Sequence, residues 1–120
     1  MSHKKVERID PLTQALPCVG CDSHAHLVGE EFDADREDVL ARARAAGVAT
    51  IGNIFLHPDI WRQKRAVFDA HPELFFVLGI HPCDGQQCTP EVMAAIRDAF
   101  AEDGRLRAVG EIGLDFYWDD

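Results

Sequence analysis

The sequence predicts an α/β domain built on a parallel β-sheet. Apolar segments alternate along the chain with segments of helical periodicity, and short turns separate them. This alternation is typical of parallel strands joined by right-handed helical crossovers. A second observation agrees with it, because histidines or a glutamate follow or end every predicted strand, at the sheet edge where α/β proteins bind ligands. The predicted order of elements is βαβαβαβ.

Four segments have the composition of strands. The second and third are the clearest, because Val48–Phe55 and Leu74–Leu78 are nearly continuous apolar runs. Such runs are expected of strands that are covered on both faces. The first strand is predicted at Cys18–Ser23, and the fourth runs from Leu106 to about Ile112.

Three helices are predicted between these strands. Their ranges are Asp35–Ala46, Pro58 to about Ala70, and Pro90 to about Gly104. Asp33 or Asp35 can cap the first helix and Thr89 the third, while Pro58 and Pro90 suit first-turn positions. The residues predicted to face the sheet are Val39, Leu40, Ala43 and Ala46 in the first helix, Ile60, Val67 and Phe68 in the second, and Val92, Ala95, Ile96, Ala99 and Phe100 in the third.

The composition is ordinary for a globular protein. The 120 residues are 47% hydrophobic and 28% charged, and no apolar run approaches the roughly 20 residues needed to span a bilayer. Residues 1–16 are polar and mixed, so they are predicted to be a flexible leader rather than a secretory signal. We therefore expect one domain over residues 17–120, no membrane association, and a cytoplasmic location.

The net charge of −9 comes from 12 basic and 21 acidic residues. It argues against the broad basic face that nonspecific nucleic-acid binders use. It does not exclude a nuclease whose metal ions meet the phosphate, because bound cations reverse the local field.

Four cysteines allow a four-thiolate zinc site or a redox pair to be considered. They are Cys18, Cys21, Cys83 and Cys88. If Cys18 begins one strand and Cys83 follows the end of another, the rise of about 3.3 Å per residue places them too far apart to share an ion. We therefore interpret them as small buried or loop cysteines in a reducing compartment.

The most informative polar residues lie at the carboxyl ends of the predicted strands. His24 and His26 follow the first strand, His57 the second and His81 the third, and Glu111 ends the fourth. Side chains two residues apart on a strand point to the same face, so the first two histidines can aim at one point. Neutral imidazole is a common ligand for zinc and other divalent transition metals.

Each of these residues also has an ordinary structural interpretation. The first two histidines could be unrelated surface residues, His57 a loop residue or helix cap, and His81 a turn residue. His71 is predicted at the opposite side of the sheet and is interpreted as structural. Glu111 differs, because it lies among apolar residues and a lone buried carboxylate is costly unless it is paired or binds a metal.

These residues together indicate a metal site formed by His24, His26 and Glu111, with His81 nearby. Three protein ligands can hold zinc and leave a position open for water. A bridging carboxylate would allow a second ion, and a pair of ions suits the hydrolysis of phosphodiesters.

Three segments resemble the N-terminal signatures of a known family. They are Asp22–Leu27 (DSHAHL), Gly79–Pro82 (GIHP) and Val109–Tyr117 (VGEIGLDFY), and their order and spacing also match. On these motifs the chain, from about residue 17 onward, resembles the TatD family of metal-dependent deoxyribonucleases. The resemblance implies a TIM barrel, a site of two divalent ions, and hydrolysis of DNA phosphodiester bonds, often as an exonuclease.

The resemblance also implies roles for individual residues. His24 and His26 would hold one ion, Glu111 would bridge both ions, and His81 would lie near the substrate phosphate. The implied catalytic residues are Glu111 and His81, the metal ligands His24, His26 and Glu111, and the supporting residues Asp22 and Asp115. Zinc, magnesium and manganese all remain open, although histidine ligands favour transition metals. The expected partner is DNA or another phosphoester substrate.

A TIM barrel usually needs about 250 residues and eight strands. The predicted four strands and three helices therefore correspond to the N-terminal half of a (β/α)8 barrel. The resemblance places the family's remaining ligands, two histidines and an aspartate, on later strands, so the chain is interpreted as truncated. The first and fourth strands would be open edges, from which we expect marginal stability and self-association or aggregation.

Two other functions are considered. An amidohydrolase-type enzyme, acting on a C–N or ester bond, would share the early His-x-His pair. A lysine at the fourth strand would favour it, but Glu111 occupies that strand and no lysine follows Lys64. The other alternative is an inactive or metal-binding half-barrel fragment, which describes the 120 residues if they act alone.

Overall fold

A four-stranded parallel sheet forms the centre of the structure, a computed structural model that describes residues 13, 17 and 19–117. The strands are β1 (Gly20–Ala25), β2 (Val48–Phe55), β3 (Leu74–Leu78) and β4 (Leu106–Val109). They pair in the order β1-β2-β3-β4, and every pair is parallel. The predicted fold is therefore confirmed, whereas the predicted leader falls almost wholly outside the described residues.

Three α-helices connect successive strands, as predicted. They are α1 (Arg36–Ala45), α2 (Pro58–Lys64) and α3 (Pro90–Glu102), and short 3₁₀ segments cover Glu30–Phe32, Arg65–Phe68 and Pro82–Gln87. Thr89 caps α3, because its hydroxyl accepts a hydrogen bond from the backbone N–H of Val92. In α1 the cap differs from the prediction: Asp35 takes the N-cap position without a side-chain hydrogen bond. Asp33 instead binds Arg36 at 2.6 Å.

The core lies between the helices and one face of the sheet. Phe55 and Phe76 from neighbouring strands meet Phe68 there, with ring centroids 5.1–6.5 Å apart. Such edge-to-face and tilted contacts add to the stability that burial of the rings provides. From α3, Ile96 and Ala99 are buried against this cluster, which confirms the centre of the stripe predicted for that helix.

The face predicted for the second helix is wrong at Ile60 and Val67 and correct at Phe68. Ile60 and Val67 are 39% and 40% exposed, whereas Trp61 and Phe68 are both fully buried. Ile60 and Val67 are seven residues apart, and so are Trp61 and Phe68. Either pair could therefore face the sheet. The aromatic pair buries more apolar surface, and the Trp61 indole N–H donates to Asp103 Oδ2 at 3.2 Å. The helix also ends earlier than predicted, at Lys64, and continues as a 3₁₀ turn to Phe68.

Both edge strands differ in extent from the prediction. β1 runs to Ala25, so His24 lies within the strand rather than after it, and Cys18 lies outside the described residues. β4 ends at Val109 and not near Ile112. Glu111 therefore lies in the segment that follows the strand, two residues beyond the last residue of β4 that pairs with β3.

Arg105 joins the amino ends of β3 and β4. Its guanidinium donates to the carbonyls of Phe68, His71 and Leu74 at 2.7–3.2 Å, and it lies 4.2 Å from the centre of the Phe76 ring. His71 contacts Glu37 at 2.9 Å and Glu73 at 3.3 Å. These contacts lie away from the carboxyl edge of the sheet and agree with the structural role expected for His71.

Within residues 19–117, no strand pairs with the outer edge of β1 or of β4. On the sheet face opposite the helices, Ile54, Phe75, Val77 and Ala108 line a cavity. Exposed strand edges are templates for pairing with another chain. None of the helices in the described part of the chain is long and apolar enough to cross a membrane.

We expect the 120-residue chain to self-associate through these edges. Size-exclusion chromatography with light scattering should give a mass above that of one chain, and this mass should rise with the protein concentration. Val109→Lys places a charge on β4, where Val109 is 57% exposed, and should shift the population toward monomer because lysine on an edge disfavours strand addition. A compact monomer at all concentrations would contradict the expectation.

Candidate metal centre

Two histidines and a glutamate converge at the carboxyl edge of the sheet. His24 Nε2 lies 2.9 Å from Glu111 Oε1 and 3.2 Å from His26 Nε2, and His26 Nε2 lies 3.0 Å from the same carboxylate oxygen. Side chains from β1, from the residue after it and from the segment after β4 therefore meet across the end of the sheet. Among the described residues, the ligand atoms of these three side chains lie within 4.8 Å of one another. They are the three residues that the sequence predicted as metal ligands.

The backbone of β1 explains how the two histidines come together. The strand geometry directs residues 24 and 26 to one face, although the pairing with β2 is irregular between Asp22 and Ala25. Asp22 contacts the backbone of this strand, because its Oδ1 accepts a hydrogen bond from the His24 N–H at 3.0 Å. Asp22, which was predicted to support the site, therefore contacts the backbone of one of the predicted ligands.

The donor atoms have the spacing that a small divalent ion requires. In a tetrahedral zinc site with ligand distances of about 2.0–2.1 Å, the ligand atoms lie about 3.3 Å from one another. The three separations here are 2.9, 3.0 and 3.2 Å. Two imidazole nitrogens and one carboxylate oxygen are also the ligand types that zinc and related transition metals prefer. The residues therefore fit a metal ion.

The surroundings of Glu111 differ from the prediction. Its side chain is 22% exposed, so it is neither fully buried nor alone among apolar groups. Besides the two histidines, His81 approaches it: His81 Nε2 lies 3.3 Å from Glu111 Oε2. The carboxylate therefore presents its two oxygens to different partners.

His81 is held in one orientation by its own loop. It is the residue before the 3₁₀ segment Pro82–Gln87, and its Nδ1 accepts a hydrogen bond from the backbone N–H of Cys83 at 3.1 Å. In a neutral imidazole with Nδ1 as acceptor, the proton is on Nε2. His81 is therefore oriented to donate a hydrogen bond from Nε2 toward the centre of the site.

Asp115 links the loop that follows β4 to the loop that carries His81. Its Oδ1 accepts from the Tyr117 backbone N–H at 2.9 Å, and its Oδ2 accepts from the Cys83 thiol at 3.3 Å. The Tyr117 N–H, followed by the thiol, lowers the pKa of Asp115. The lowered pKa stabilises the folded state at pH values above about 3.9, the pKa of an aspartate in the unfolded chain. This stabilisation is lost as the pH falls through the pKa that Asp115 has in the folded protein.

The same contact raises the pKa of Cys83, because the Asp115 carboxylate accepts from the thiol and disfavours the thiolate. We therefore expect Cys83 to react with iodoacetamide more slowly than Cys21, which is also exposed. Asp115→Asn should speed the reaction at Cys83 and leave that at Cys21 unchanged, as peptide mass spectrometry would measure. Equal rates at Cys83 in both proteins would contradict the contact.

Other candidates lie apart from the centre. His57 caps α2, because its Nδ1 accepts from the Asp59 N–H at 3.2 Å, as its structural interpretation expected. Cys21, Cys83 and Cys88 are free and exposed, and among the described residues they join no group of metal ligands.

Two residues that the sequence analysis missed contact the loop after His26. They are Asn53, fully buried in β2, and Arg36, buried at the start of α1. The signal for Asn53 was available, because an amide within an apolar strand needs a polar partner. No periodicity indicates that Arg36 is buried.

The parallel sheet and the cluster of two histidines and a carboxylate at its carboxyl edge define this chain as an α/β protein with a candidate metal centre. Comparison with known proteins agrees. The model of the family described as TatD related DNase matches residues 21–120. The chain belongs to this family.

Individual relatives show the same relationship. A protein of Bacillus subtilis, "Uncharacterized metal-dependent hydrolase YabD", is 36% identical over 99 residues, covering 82% of this chain and 38% of the relative. The "3'-5' ssDNA/RNA exonuclease TatD" of Salmonella typhimurium is 37% identical over 97 residues, covering 79% of this chain and 36% of the relative. The crystal structure of the TatD homologue YjjV from Escherichia coli K12 superposes with a TM-score of 0.74 at 30% identity, covering 86% of this chain and 40% of that one.

The chain thus spans about two-fifths of the length of these relatives. What it shares with the YjjV structure is four strands of the barrel with their helices. The fold is accordingly a partial barrel.

Proposed function

We propose that this chain carries part of the active site of a metal-dependent phosphodiester hydrolase. The observation that carries the proposal is the convergence of His24, His26 and Glu111, whose ligand atoms lie within 4.8 Å of one another. In this proposal the two histidines hold one divalent ion and Glu111 shares it. Zinc, manganese and magnesium are the candidate ions, and the histidine ligands favour the transition metals.

Glu111 is proposed to bridge two ions. The support is that Oε1 faces the histidine pair while Oε2 faces away from it, toward His81. When bound, such ions activate a water molecule and neutralise the charge that develops on a phosphodiester. The chain's own contribution is to hold the ligands within reach of one point before substrate arrives.

His81 is proposed to bind the phosphate of the substrate. Its Nδ1 is occupied by the Cys83 N–H, which leaves the Nε2–H free to donate to a phosphate oxygen in place of Glu111. A donor fixed in advance at the position of developing negative charge stabilises the transition state without reorganising. Asp115 supports this arrangement through its contact with Cys83.

The proposed substrate is DNA, in keeping with the family description and with the single-stranded nucleic acids named for the Salmonella relative. The net charge of −9 means that attraction for phosphate has to come from the bound ions rather than from a basic surface.

We further propose that the site is completed by groups outside these 120 residues. Two histidines and one carboxylate leave positions open on an ion and supply too few groups for two ions. A half-barrel that binds metal and hydrolyses nothing is therefore the alternative for the 120-residue chain acting alone.

The test is metal binding and hydrolysis by the 120-residue chain. Zinc, manganese and magnesium are each titrated by calorimetry, and cleavage of a labelled single-stranded oligodeoxynucleotide is followed with each metal. His24→Ala is expected to weaken binding by at least about tenfold, whereas His57→Asn, which keeps a capping side chain on α2, should leave it unchanged. Equal binding by both variants would overturn the assigned centre, and binding without cleavage would favour the half-barrel alternative.

A further inference from the structure

Leu27, the residue directly after His26, has both of its backbone polar groups bound by buried side chains. Its N–H donates to Asn53 Oδ1 at 2.8 Å, and its carbonyl accepts from Arg36 Nε at 2.8 Å. Asn53 is fully buried and Arg36 is 8% exposed. This arrangement, the Leu27 clamp, joins β2 and α1 to the segment that carries the proposed ligand.

Asn53 takes the place of a strand partner. It pairs with Ala25, the last residue of β1, so the chain leaves the sheet before Leu27, whose N–H then has no partner in the ladder. Burying an amide in an apolar strand costs free energy unless its groups are bonded. The Asn53 Nδ2 donates to the Ile54 carbonyl at 3.3 Å, so both ends of the amide have partners.

Arg36 fixes the same loop from the helix side. Besides the Leu27 carbonyl, it binds the Gly29 carbonyl at 3.1 Å, and the Asp33 carboxylate balances its charge at 2.6 Å. Three bonds from one guanidinium leave the loop few alternative conformations, because the donors of arginine form a rigid fork.

We propose that Asn53 and Arg36 are positioning residues that aim His26 at the metal. Among the described residues, the polar contacts of the His26 ring are made by Nε2 alone, toward His24 and Glu111. The direction of the ring therefore depends on the backbone at residues 26 and 27, which the clamp holds. This inference rests on the proposed metal site. It adds two residues that contact the backbone of Leu27 and would not bind the metal ion themselves.

The test compares Asn53→Leu and Arg36→Met with the wild-type protein. Thr89→Ala is the matched control, since it removes the cap of a different helix, α3. Co²⁺ is used as the probe: its visible absorption reports the coordination geometry and its titration gives the affinity. Amide hydrogen exchange at Leu27 reports the clamp in the absence of metal, and circular dichroism reports folding.

Both Asn53→Leu and Arg36→Met are expected to weaken Co²⁺ binding about tenfold, the effect typical of groups that orient a ligand, and to change its spectrum. Leu27 exchange should accelerate in Asn53→Leu. Thr89→Ala should keep the wild-type spectrum. If Asn53→Leu does not fold, Arg36→Met decides alone.

The failures are distinguishable. Wild-type protein that binds no Co²⁺ would refute the proposed metal site and this inference with it. If the wild-type protein binds Co²⁺ and the folded Asn53→Leu or Arg36→Met variant binds it with the same affinity and spectrum, only the positioning role would be refuted. Loss of binding in Thr89→Ala to the same extent would also refute it, since any loss of stability would then suffice.

Discussion

Glu111→Ala is expected to lower the metal affinity of the chain by at least about 100-fold, because it removes a carboxylate that faces both histidines. Loss of a group that merely orients a ligand already costs 10- to 100-fold. The fold should persist, since Glu111 lies beyond β4 and its side chain is partly exposed. In any longer protein that completes the site, hydrolysis should fall with the affinity.

The measurement is calorimetric titration with zinc and manganese, with circular dichroism before and after. Glu111→Gln keeps the shape of the side chain and removes its charge, so it should behave like Glu111→Ala. Glu102→Gln is the matched control, because Glu102 pairs with Arg62 and Arg65 on the helix surface. Near wild-type affinity in both Glu111 variants would exclude Glu111 as a ligand.

Trp61→Ala is expected to give the largest loss of stability of any single substitution in α2. Truncating a fully buried tryptophan typically costs about 3–5 kcal/mol through lost burial and the cavity that remains. The indole also contacts Asp103 and lies 4.5 Å from the Arg65 guanidinium, so these groups would lose a partner. A loss of this size is a large fraction of the 5–15 kcal/mol that a typical domain has.

Urea denaturation followed by circular dichroism measures this effect. Ile60→Ala is the control from the neighbouring position, and it should cost less than about 1 kcal/mol because Ile60 is partly exposed and surface substitutions have small effects. If Ile60→Ala were as costly as Trp61→Ala, the assignment of Trp61 and not Ile60 to the buried face of this helix would be contradicted.

The parts of the fold that sequence predicts well are those with one dominant pattern. Val48–Phe55 and Leu74–Leu78 were predicted to the residue, because an apolar run bounded by turn residues permits one strand. α3 has a single apolar stripe and a proline in its first turn, and its start was also correct. In α2 and the 3₁₀ turn after it, apolar residues are adjacent at 60 and 61 and at 67 and 68. The local pattern predicted Phe68 correctly but could not select Trp61 over Ile60.

The limits of β1 and β4 depended on neighbouring strands. An edge strand ends where its partner stops offering hydrogen bonds, and β4 stops at Val109, opposite Leu78 at the end of β3. Local composition does not contain that information. The Gly110 N–H still donates to the Leu78 carbonyl at 3.1 Å. Beyond Gly110 the chain leaves the ladder, which places Glu111 where it can turn toward the histidines.

By itself the sequence determined the order of elements, the parallel sheet, and the placing of His24, His26, His81 and Glu111 at one edge, because chain order and side-chain periodicity are local properties. The tertiary structure decided what those residues touch. His24 and Glu111 are 87 positions apart yet 2.9 Å from each other, and Asn53 meets Leu27 across 26 positions. Contacts of this kind depend on how strands and loops close in space, which no segment specifies alone.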